Sequence, residues 1–469
     1  MQNNKLDYVK LINKYTGRAV EKLRSIIKNF EEYDDKELDR IMQSINDSTI
    51  VALKKNYIFN EPLPGPPNAK RTPIFGKYQD FDDWLLITMC IPLYHSLGDT
   101  IGYHNGHWEF NYGEQNAGPE YANELIYEFI SLGGINDLSI TNWMASDDTI
   151  MYMATYHVLS EKVSSIQEFG KKLQQAYLEI FPIIENRHIG NITERSLVIQ
   201  KNIEWDKLPY NNLDIGAGSC MRSGCIGIFF LGWHNRKKLI ALAVESSRIT
   251  HNSTTAILGS ICTALFTAYA LERVPINHWP HKFIKLLKSN RIDRYMEKSR
   301  PNEYHLYQRD KVIYIGQWEK YINMRFSGLT PRLDLKIMKN PVSRIEYLAK
   351  NFSKGHMEFP GSCADDAVIM AYDALLESGN VLEKLIVYAI LHPGDSDTVG
   401  AIALSWFGAY YHSPKNGRLV YPKFEELEYY QKIVDATNKN PQKMLKIYYY
   451  DLYYHVGRKI LKKILVKQN

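Results

Sequence analysis

The stretch Ser146-Asp147-Asp148-Thr149 places two carboxylates and two hydroxyls side by side, directly before an apolar run that extends to Leu159. Carboxylate and hydroxyl oxygens are hard ligands, suited to Mg²⁺, Mn²⁺ or Ca²⁺ rather than to softer metals. The same residues also suit a helix N-terminus, with serine as the N-cap and two acidic residues complementing the helix dipole. Taken alone, the stretch favours the helix cap over a metal site.

A second stretch, Gly394-Asp395-Ser396-Asp397-Thr398, has the same chemistry and also precedes an apolar helical run. Four carboxylates that converge on one point repel each other strongly unless cations lie between them. The presence of both stretches in one chain therefore favours the metal interpretation. We predict that the fold brings them together around a pair of divalent ions.

Apolar residues recur at helical spacing through most of the chain from about Asp83 onward. The segments with this pattern are Trp84–Leu97, Glu120–Leu132, Thr149–Leu159, Ile166–Ile180, Leu239–Glu245, Thr255–Glu272, Ala364–Ser378, Val381–Leu391 and Val399–Tyr411. Strand-like alternation is scarce, although Cys225–Trp233 suits a short buried strand. We therefore predict an all-α domain. The most apolar stretch, Ala256–Ala270, is too short and too polar to span a bilayer, so we expect a buried helix there.

Composition divides the chain of 469 residues into four segments. A helical pattern before the proline-rich stretch 62–67 predicts an N-terminal helical extension at 1–62, followed by a linker at 63–82. The main domain is predicted at 83–440, and a basic helical tail at 441–469. The tail holds seven Lys or Arg residues against one acidic residue, Asp451, which leaves the rest of the chain near neutral.

This charge distribution excludes a general nucleic-acid-binding surface, since the basic residues are concentrated in the tail. The tail is either a solvated helix docked on its own domain, the commoner case, or an attachment to an anionic membrane or partner. Five cysteines without metal-ligand spacing fit a reducing compartment, and no signal peptide pattern is present. We expect a cytoplasmic, soluble protein and favour a monomer.

Three loops carry further candidate chemistry. The loop Gly98–Gly102 leads into His107-Trp108-Glu109-Phe110. The loop Gly216–Arg222 is rich in small residues, whose backbone N–H groups are suited to cradle a phosphate. A Gly-x-Gly without a clear preceding strand is not a dinucleotide fingerprint. The third loop contains His251 just before a helix, where a structural histidine is the commoner case.

In their order along the chain, these motifs resemble the ADP-ribosylglycohydrolase family, from about Trp84 to about Ala436. The resemblance covers the following stretches: Gly98–Tyr103, Asn105–Phe110, Ser146–Thr149, Gly216–Gly218, Met221-Arg222, Glu245–His251 and Gly394–Thr398. Trp318–Tyr321 is similar to a stretch of the branch that acts on ADP-ribosylated arginine. The resemblance implies an all-α catalytic domain with a binuclear magnesium site. It also implies a hydrolase that cleaves the N-glycosidic bond between ADP-ribose and a protein side chain.

The resemblance further implies a role for individual residues. Two Mg²⁺ ions, with Mn²⁺ as the alternative, would be held by Ser146, Asp147, Asp148, Asp395, Asp397 and Thr398. A proton would be transferred by Glu109 or Asp148. ADP-ribose and ADP-ribosylated proteins, the expected partners, would meet Gly216, Gly218, Ser219, Cys220, His251, Asp365 and Asp366.

The chain departs from the arginine branch at Gly361–Asp366, where that branch has Gly-Ser-Ser-Gly-His-Asp. Asp365 therefore occupies the position of a histidine, near where the substrate is expected. A guanidinium leaving group is a cation that a carboxylate can pair with bidentately, so Asp365 remains compatible with arginine.

Two other functions compete with this interpretation. A member of the family can lose metal ligands and become an ADP-ribose-binding protein, but all six ligand positions and Glu109 are present here. The sequence Asp395-Ser396-Asp397-Thr398-Val399 also resembles the nucleophile signature of haloacid-dehalogenase-like phosphatases. That fold requires alternating strands and helices, which the sequence does not predict, and leaves Ser146–Thr149 unexplained.

Overall fold

Helices form almost all the regular secondary structure in the computed structural model of the protein, which describes residues 81–111, 121–161, 163–232, 235–353, 359–411 and 423–439. These residues all belong to one compact unit, Lys77–Tyr449. The predicted all-α fold is confirmed. The predicted extension at 1–62, most of the linker at 63–82 and the tail at 441–469 lie outside the described residues and stay predictions.

The α-helices in the described ranges are, in chain order, α1 (Phe81–Tyr103), α2 (Tyr121–Ser131), α3 (Gly134–Asp137), α4 (Asp147–Ser160), α5 (Ile166–Ile184), α6 (Asn191–Gln200), α7 (Gly218–Met221), α8 (Gly224–Phe229), α9 (Arg236–Arg248), α10 (Thr254–Leu271), α11 (Trp279–Lys288), α12 (Asn290–Ser299), α13 (Tyr304–Arg325), α14 (Lys336–Lys339), α15 (Pro341–Phe352), α16 (Asp366–Ser378), α17 (Leu382–Ala389), α18 (Ser396–Tyr411) and α19 (Tyr430–Asn438). Short 3-10 turns are His104–Gly106, Glu109–Asn111, Ile276–His278, Pro301–Glu303 and Phe424–Glu426. Two antiparallel strands, β1 (Phe326–Ser327) and β2 (Thr330–Pro331), pair Phe326 with Pro331 and Ser327 with Thr330.

Helix α10 lies at the centre of the core, where α8, α9, α13 and α18 pack around it. All 18 of its residues are buried. In the part of the chain that the structure describes, it is the one helix long and apolar enough to cross a membrane. A helix enclosed on all sides is apolar on all its faces, so the same composition arises inside a protein core. The predicted buried helix is confirmed.

The predicted strand at Cys225–Trp233 is wrong, because Gly224–Phe229 forms helix α8. A Cβ atom added to Gly227 would lie 2.2 Å from the carbonyl oxygen of Ala264, so α8 lies directly against the backbone of α10. A short apolar run has no periodicity that separates a buried strand from a buried helix. Packing against α10 decides the conformation here.

Glycines at the contact between α1 and α18 position the second acidic stretch. A Cβ atom on Gly98 would lie 2.3 Å from the carbonyl oxygen of Gly400, and one on Gly102 would lie 2.5 Å from the Cα of Asp397. Only glycine allows two helix backbones to approach this closely. The Ser396 hydroxyl also donates to the carbonyl of Gly102 at 2.8 Å. The start of α18 is therefore held directly against the C-terminal half of α1.

Candidate active site

The first acidic stretch forms the N-terminus of α4. Ser146 is the N-cap, and its hydroxyl accepts a hydrogen bond from the backbone N–H of Asp148 at 3.1 Å. Asp147 and Asp148 occupy the first turn, where acidic side chains complement the helix dipole. The predicted helix cap is therefore present, and it places both carboxylates in the first turn of α4.

Asp99 in α1 holds this helix start in place. Its two carboxylate oxygens accept hydrogen bonds from the backbone N–H groups of Ser146 and Thr149, each at 3.0 Å. Burial, and then the nearby charge of Asp397, raise the pKa of Asp99 to about 7. Asp99 lies within the motif Gly98–Gly102, but its contact with α4 is visible only in three dimensions.

The two acidic stretches meet, as the sequence predicts. The hydroxyl of Thr398 donates to a carboxylate oxygen of Asp148 at 3.3 Å, across 250 residues of sequence. The backbone N–H of Thr398 donates to Asp395 at 3.3 Å and to Asp397 at 2.8 Å. The N-termini of α4 and α18 therefore converge on a single group of carboxylates.

Glu109 belongs to the same group. One carboxylate oxygen from each of Glu109, Asp395 and Asp397 lies within 4.8 Å of the others. The neighbouring Phe110 has a positive φ of 50° and donates its backbone N–H to the carbonyl of Gly394 at 3.0 Å. This hydrogen bond ties the loop that carries Glu109 to the second acidic stretch.

The cluster is buried and carries an excess of negative charge. Burial first, and then the charge of Asp397, raise the pKa well above its usual value in Glu109, Asp147, Asp148 and Asp395. Among the described residues, the Oε2 atom of Glu109 and the Oδ2 atom of Asp148 are buried without a hydrogen-bond partner. Buried carboxylates require a counter-charge, and oxygen donors in this number fit a hard divalent cation. The residues present therefore fit the predicted metal.

The glycine loop at Gly216–Arg222 and the acidic cluster both contact the 359–366 loop. Gly216 pairs with Cys363 in an isolated antiparallel bridge, flanked by hydrogen bonds from Ala217 N to Ser362 O at 2.9 Å and from Ala364 N to Ile215 O at 2.8 Å. The same 359–366 loop accepts a hydrogen bond from the backbone of the acidic stretch, since Asp395 N donates to Pro360 O at 3.0 Å. The fold thus aligns the candidate phosphate cradle, the 359–366 loop and the acidic cluster.

Comparison with known proteins agrees with this arrangement. The family model described as ADP-ribosylglycohydrolase matches residues 95–414. The chain is 57% identical over 396 residues to a protein of Acanthamoeba polyphaga mimivirus whose name assigns it provisionally to the ADP-ribosyl glycohydrolases, across 83% of this chain and 77% of that one. It is 32% identical over 369 residues to ADP-ribosylhydrolase ARH1 of Dictyostelium discoideum, across 73% of this chain and 90% of that one. The chain belongs to the ADP-ribosylglycohydrolase family.

A solved structure titled ADP-ribosylglycohydrolase-related protein complex is similar to 76% of this chain and 99% of its own chain, with 17% identity and a TM-score of 0.45. Membership of the ADP-ribosylglycohydrolases therefore rests on the sequence matches. The family consists of metal-dependent hydrolases of ADP-ribose linkages that act on ADP-ribosylated substrates. The phosphatase alternative conflicts with the fold, since the strands in the described ranges have two residues each.

In this ADP-ribosylglycohydrolase, His251 lies against the glycine loop. A Cβ atom on Gly218 would lie 2.8 Å from the Cε1 atom of His251, so the loop requires glycine at this position. His251 is buried, and burial followed by the charges of Arg222 and Arg195 lowers its pKa well below the usual range. Its Nδ1 atom lies 2.8 Å from the hydroxyl of Thr250. The imidazole is therefore neutral and held in one orientation.

Ser219 and Cys220 have side chains that face the core. The Ser219 hydroxyl donates to the carbonyl of Ala256 at 2.9 Å, and the Cys220 thiol lies 3.7 Å from the carbonyl of Ala364. Both residues are fully buried. Their side chains are therefore used inside the core, and the predicted phosphate contact of their backbone stays a prediction.

The two aspartates of the 359–366 loop also face inward. The carboxylate of Asp366 accepts hydrogen bonds from the backbone N–H groups of Gly361 and Cys363, each at 3.0 Å. Burial, and then the charge of Asp365, raise the pKa of Asp366 to about 7. Asp365 is 1% exposed, and its charge adds to burial in raising the pKa of Cys220. Asp366 therefore shapes the loop, and Asp365 lies beside Cys220.

The stretch Trp318–Tyr321 belongs to the core of α13. Trp318 and Tyr321 are fully buried, and the Tyr321 hydroxyl donates to Asp373 at 2.6 Å. Buried aromatic residues of this kind contribute to core packing. The structure therefore gives Trp318 and Tyr321 a role in the core of this chain.

Proposed function

We propose that this ADP-ribosylglycohydrolase is a divalent-cation-dependent enzyme that releases ADP-ribose from modified arginine side chains of proteins. The observation that carries the proposal is the contact between the two acidic stretches, from the Thr398 hydroxyl to Asp148 at 3.3 Å. Glu109 completes the same cluster. The N-termini of two helices thereby direct their carboxylates at one buried point.

Magnesium is the proposed ion, with Mn²⁺ as the alternative, because both prefer oxygen ligands. Six residues would hold two such ions: Ser146, Asp147, Asp148, Asp395, Asp397 and Thr398. When bound, the ions supply Lewis acidity, orient the ribose hydroxyls and make a bound water more acidic. The buried, unpartnered Oδ2 atom of Asp148 supports this ligand set.

The protein's own residues supply proton transfer. Cleavage of a glycosidic bond builds positive charge at the anomeric carbon, while a proton must reach the leaving nitrogen and another must leave the attacking water. Burial, and then the charges of the neighbouring aspartates, raise the pKa of Glu109 well above its usual value, which favours a role in proton transfer. We assign proton transfer to Glu109 or Asp148, which lie in the same cluster.

The arginine linkage is supported by charge. The cluster and the 359–366 loop concentrate buried carboxylates, which favour a cationic leaving group such as guanidinium. Asp365 lies on that loop and is the proposed source of additional selectivity. Because Asp365 is buried beside Cys220, we propose that it affects the substrate indirectly, through the conformation of the 359–366 loop.

The deciding experiment measures release of ADP-ribose from arginine-modified and serine-modified proteins, with Mg²⁺ and with EDTA. We expect release from the arginine substrate with Mg²⁺ and none with EDTA. Faster release from serine would contradict the linkage, and full activity in EDTA would contradict the metal. Binding of ADP-ribose without release from either substrate would identify a binding protein instead.

We also propose a cytoplasmic, monomeric protein. None of the five cysteines, all of which lie in the described ranges, forms a disulfide, and four of them are buried, which suits a reducing compartment. Fractionation of cells and light scattering of the purified chain test the two parts separately. Recovery in a secreted fraction, or the mass of a dimer, would contradict them.

A further inference from the structure

We propose that Arg187 and Glu428 are positioning residues that fix the peptide before Ser146 and thereby set the affinity of the acidic cluster for divalent cations. The inference rests on the proposed function for the presence of the metal. It adds two residues that contact none of the predicted ligands. Glu428 also lies beyond residues 95–414, which the family model matches.

Both residues form hydrogen bonds with the backbone of Ala145. The carboxylate of Glu428 accepts a hydrogen bond from Ala145 N at 2.9 Å, and the Nη1 atom of Arg187 donates to Ala145 O at 2.7 Å. Arg187 and Glu428 also form a bidentate pair, with N–O distances of 2.8 and 2.9 Å. Each partner therefore holds one side of a residue whose own side chain is a single methyl group.

Three successive backbone N–H groups, those of Met144, Ala145 and Ser146, donate to side-chain oxygens. The N–H of Met144 donates to the side-chain oxygen of Asn105 at 2.7 Å, that of Ala145 to Glu428, and that of Ser146 to Asp99 at 3.0 Å. Asp99 belongs to α1, and Asn105 belongs to the 3-10 turn that follows it. Glu428 holds the chain from the opposite end of the sequence, just before α19.

This geometry transmits position to the metal ligands because Ala145 adjoins the N-cap Ser146. The side chains of Arg187 and Glu428 are 14% and 34% exposed, so the pair is shielded enough to be stronger than an exposed one. Groups that orient metal ligands without touching the metal commonly change metal affinity by about 10- to 100-fold when removed. We expect an effect at the lower end, since Asn105 and Asp99 remain.

The chain offers a matched control. Glu426 belongs to the same segment, and its carboxylate accepts hydrogen bonds from Ile140 N at 2.9 Å and Ser139 Oγ at 3.1 Å. It therefore holds the approach to α4 in the same chemical way, but farther from the ligands. Glu426→Gln should leave the metal affinity unchanged.

The test is titration calorimetry of Mg²⁺ alone into the full-length protein, with the metal-free melting temperature recorded for each variant. Glu428→Ala and Arg187→Met should each weaken Mg²⁺ binding about tenfold. The double variant should lose no more than the worse single variant, because both residues act through Ala145. The rate at saturating Mg²⁺ should return close to that of the wild type.

A purely structural role would lower the metal-free melting temperature and leave the Mg²⁺ affinity unchanged, and this result would overturn the inference. The proposed function is tested separately, because Mg²⁺ binding and hydrolysis by the wild type are measured alongside the variants. If the wild type itself binds no Mg²⁺, both proposals fail. Should Glu428→Ala not fold, Glu428→Gln decides the matter, with a smaller loss of affinity expected.

Discussion

Among the described residues, two regions that bury several carboxylates differ in how the charge is compensated. In the first region, Asp373 and Glu377 of α16 are paired with arginines of α13 and α15. Arg325 of α13 contacts Asp373 at 2.6 Å and Glu377 at 2.8 Å, and Arg344 of α15 pairs with Asp373. In the acidic cluster, the carboxylates of Glu109, Asp395 and Asp397 face one another.

The difference separates a structural network from a ligand site. The arginine network carries its own counter-charge, so its carboxylates are stable in the folded protein without any ligand. The acidic cluster raises the pKa of its members because burial and like charge oppose ionisation. Such a cluster is neutralised by bound protons or by a cation from solution, which is why it is a candidate metal and catalytic site.

Asp397→Asn should have the largest effect, at least about a hundredfold loss of hydrolysis, since a metal ion contributes several kcal/mol to transition-state stabilisation. The metal-free protein should be no less stable, because the change removes a like charge from the cluster. Activity assays and denaturant titration measure the two effects. The exposed Asp435→Asn is the control, and wild-type activity in Asp397→Asn would remove the cluster from the mechanism.

Arg325→Met should show the reverse pattern. Removing one partner of a buried ion pair leaves uncompensated charge and costs about 3–5 kcal/mol of unfolding free energy. Mg²⁺ affinity should be unchanged, since Arg325 lies in the network of α13. The matched control is Arg309→Met, which breaks the exposed pair with Asp310 and should cost about 1 kcal/mol or less. Equal losses in both variants would contradict the comparison.

The pH dependence of the unfolding free energy should report on the acidic cluster without any mutation. Asp99 has a folded pKa of about 7 against about 4 for an unfolded aspartate, so the folded state binds more protons between these values. Stability of the metal-free protein should therefore fall as pH rises from about 4 to about 7. Saturating Mg²⁺ should reduce this fall, because the cation replaces the protons. Denaturant titrations with EDTA or Mg²⁺ measure it, and identical pH profiles would contradict the prediction.

Gly218→Val should have the smallest effect, about a tenfold loss of ADP-ribose affinity, or ~1.4 kcal/mol. The added side chain would displace His251 and block the backbone approach of the ligand, with no change in the charge of the cluster. Calorimetry with ADP-ribose measures the loss. Gly190→Val is the control, because a Cβ there meets nothing within 4 Å, and unchanged affinity in Gly218→Val would leave the loop as a tight turn.

Local sequence was sufficient to predict most of the helical fold and the residue types of the acidic cluster. The spacing of apolar residues predicted α1, α4, α5, α10 and α18, and hydroxyls beside carboxylates predicted both the helix cap and the hard ligands. These features depend on neighbours within a few residues, which is why periodicity and residue type reveal them. The strand predicted at Cys225–Trp233 failed because a short buried run has no such signal.

The sequence by itself determined which carboxylates and hydroxyls are available to the acidic cluster, and the tertiary structure decided how they are held. Asp99, Arg187 and Glu428 position the start of α4 through hydrogen bonds to its backbone, and a backbone N–H leaves no trace in residue identity. Packing likewise turned Ser219 and Asp366 inward and enclosed Trp318 in the core. Contacts between residues hundreds of positions apart depend on how helices such as α1 and α18 meet, which local patterns do not encode.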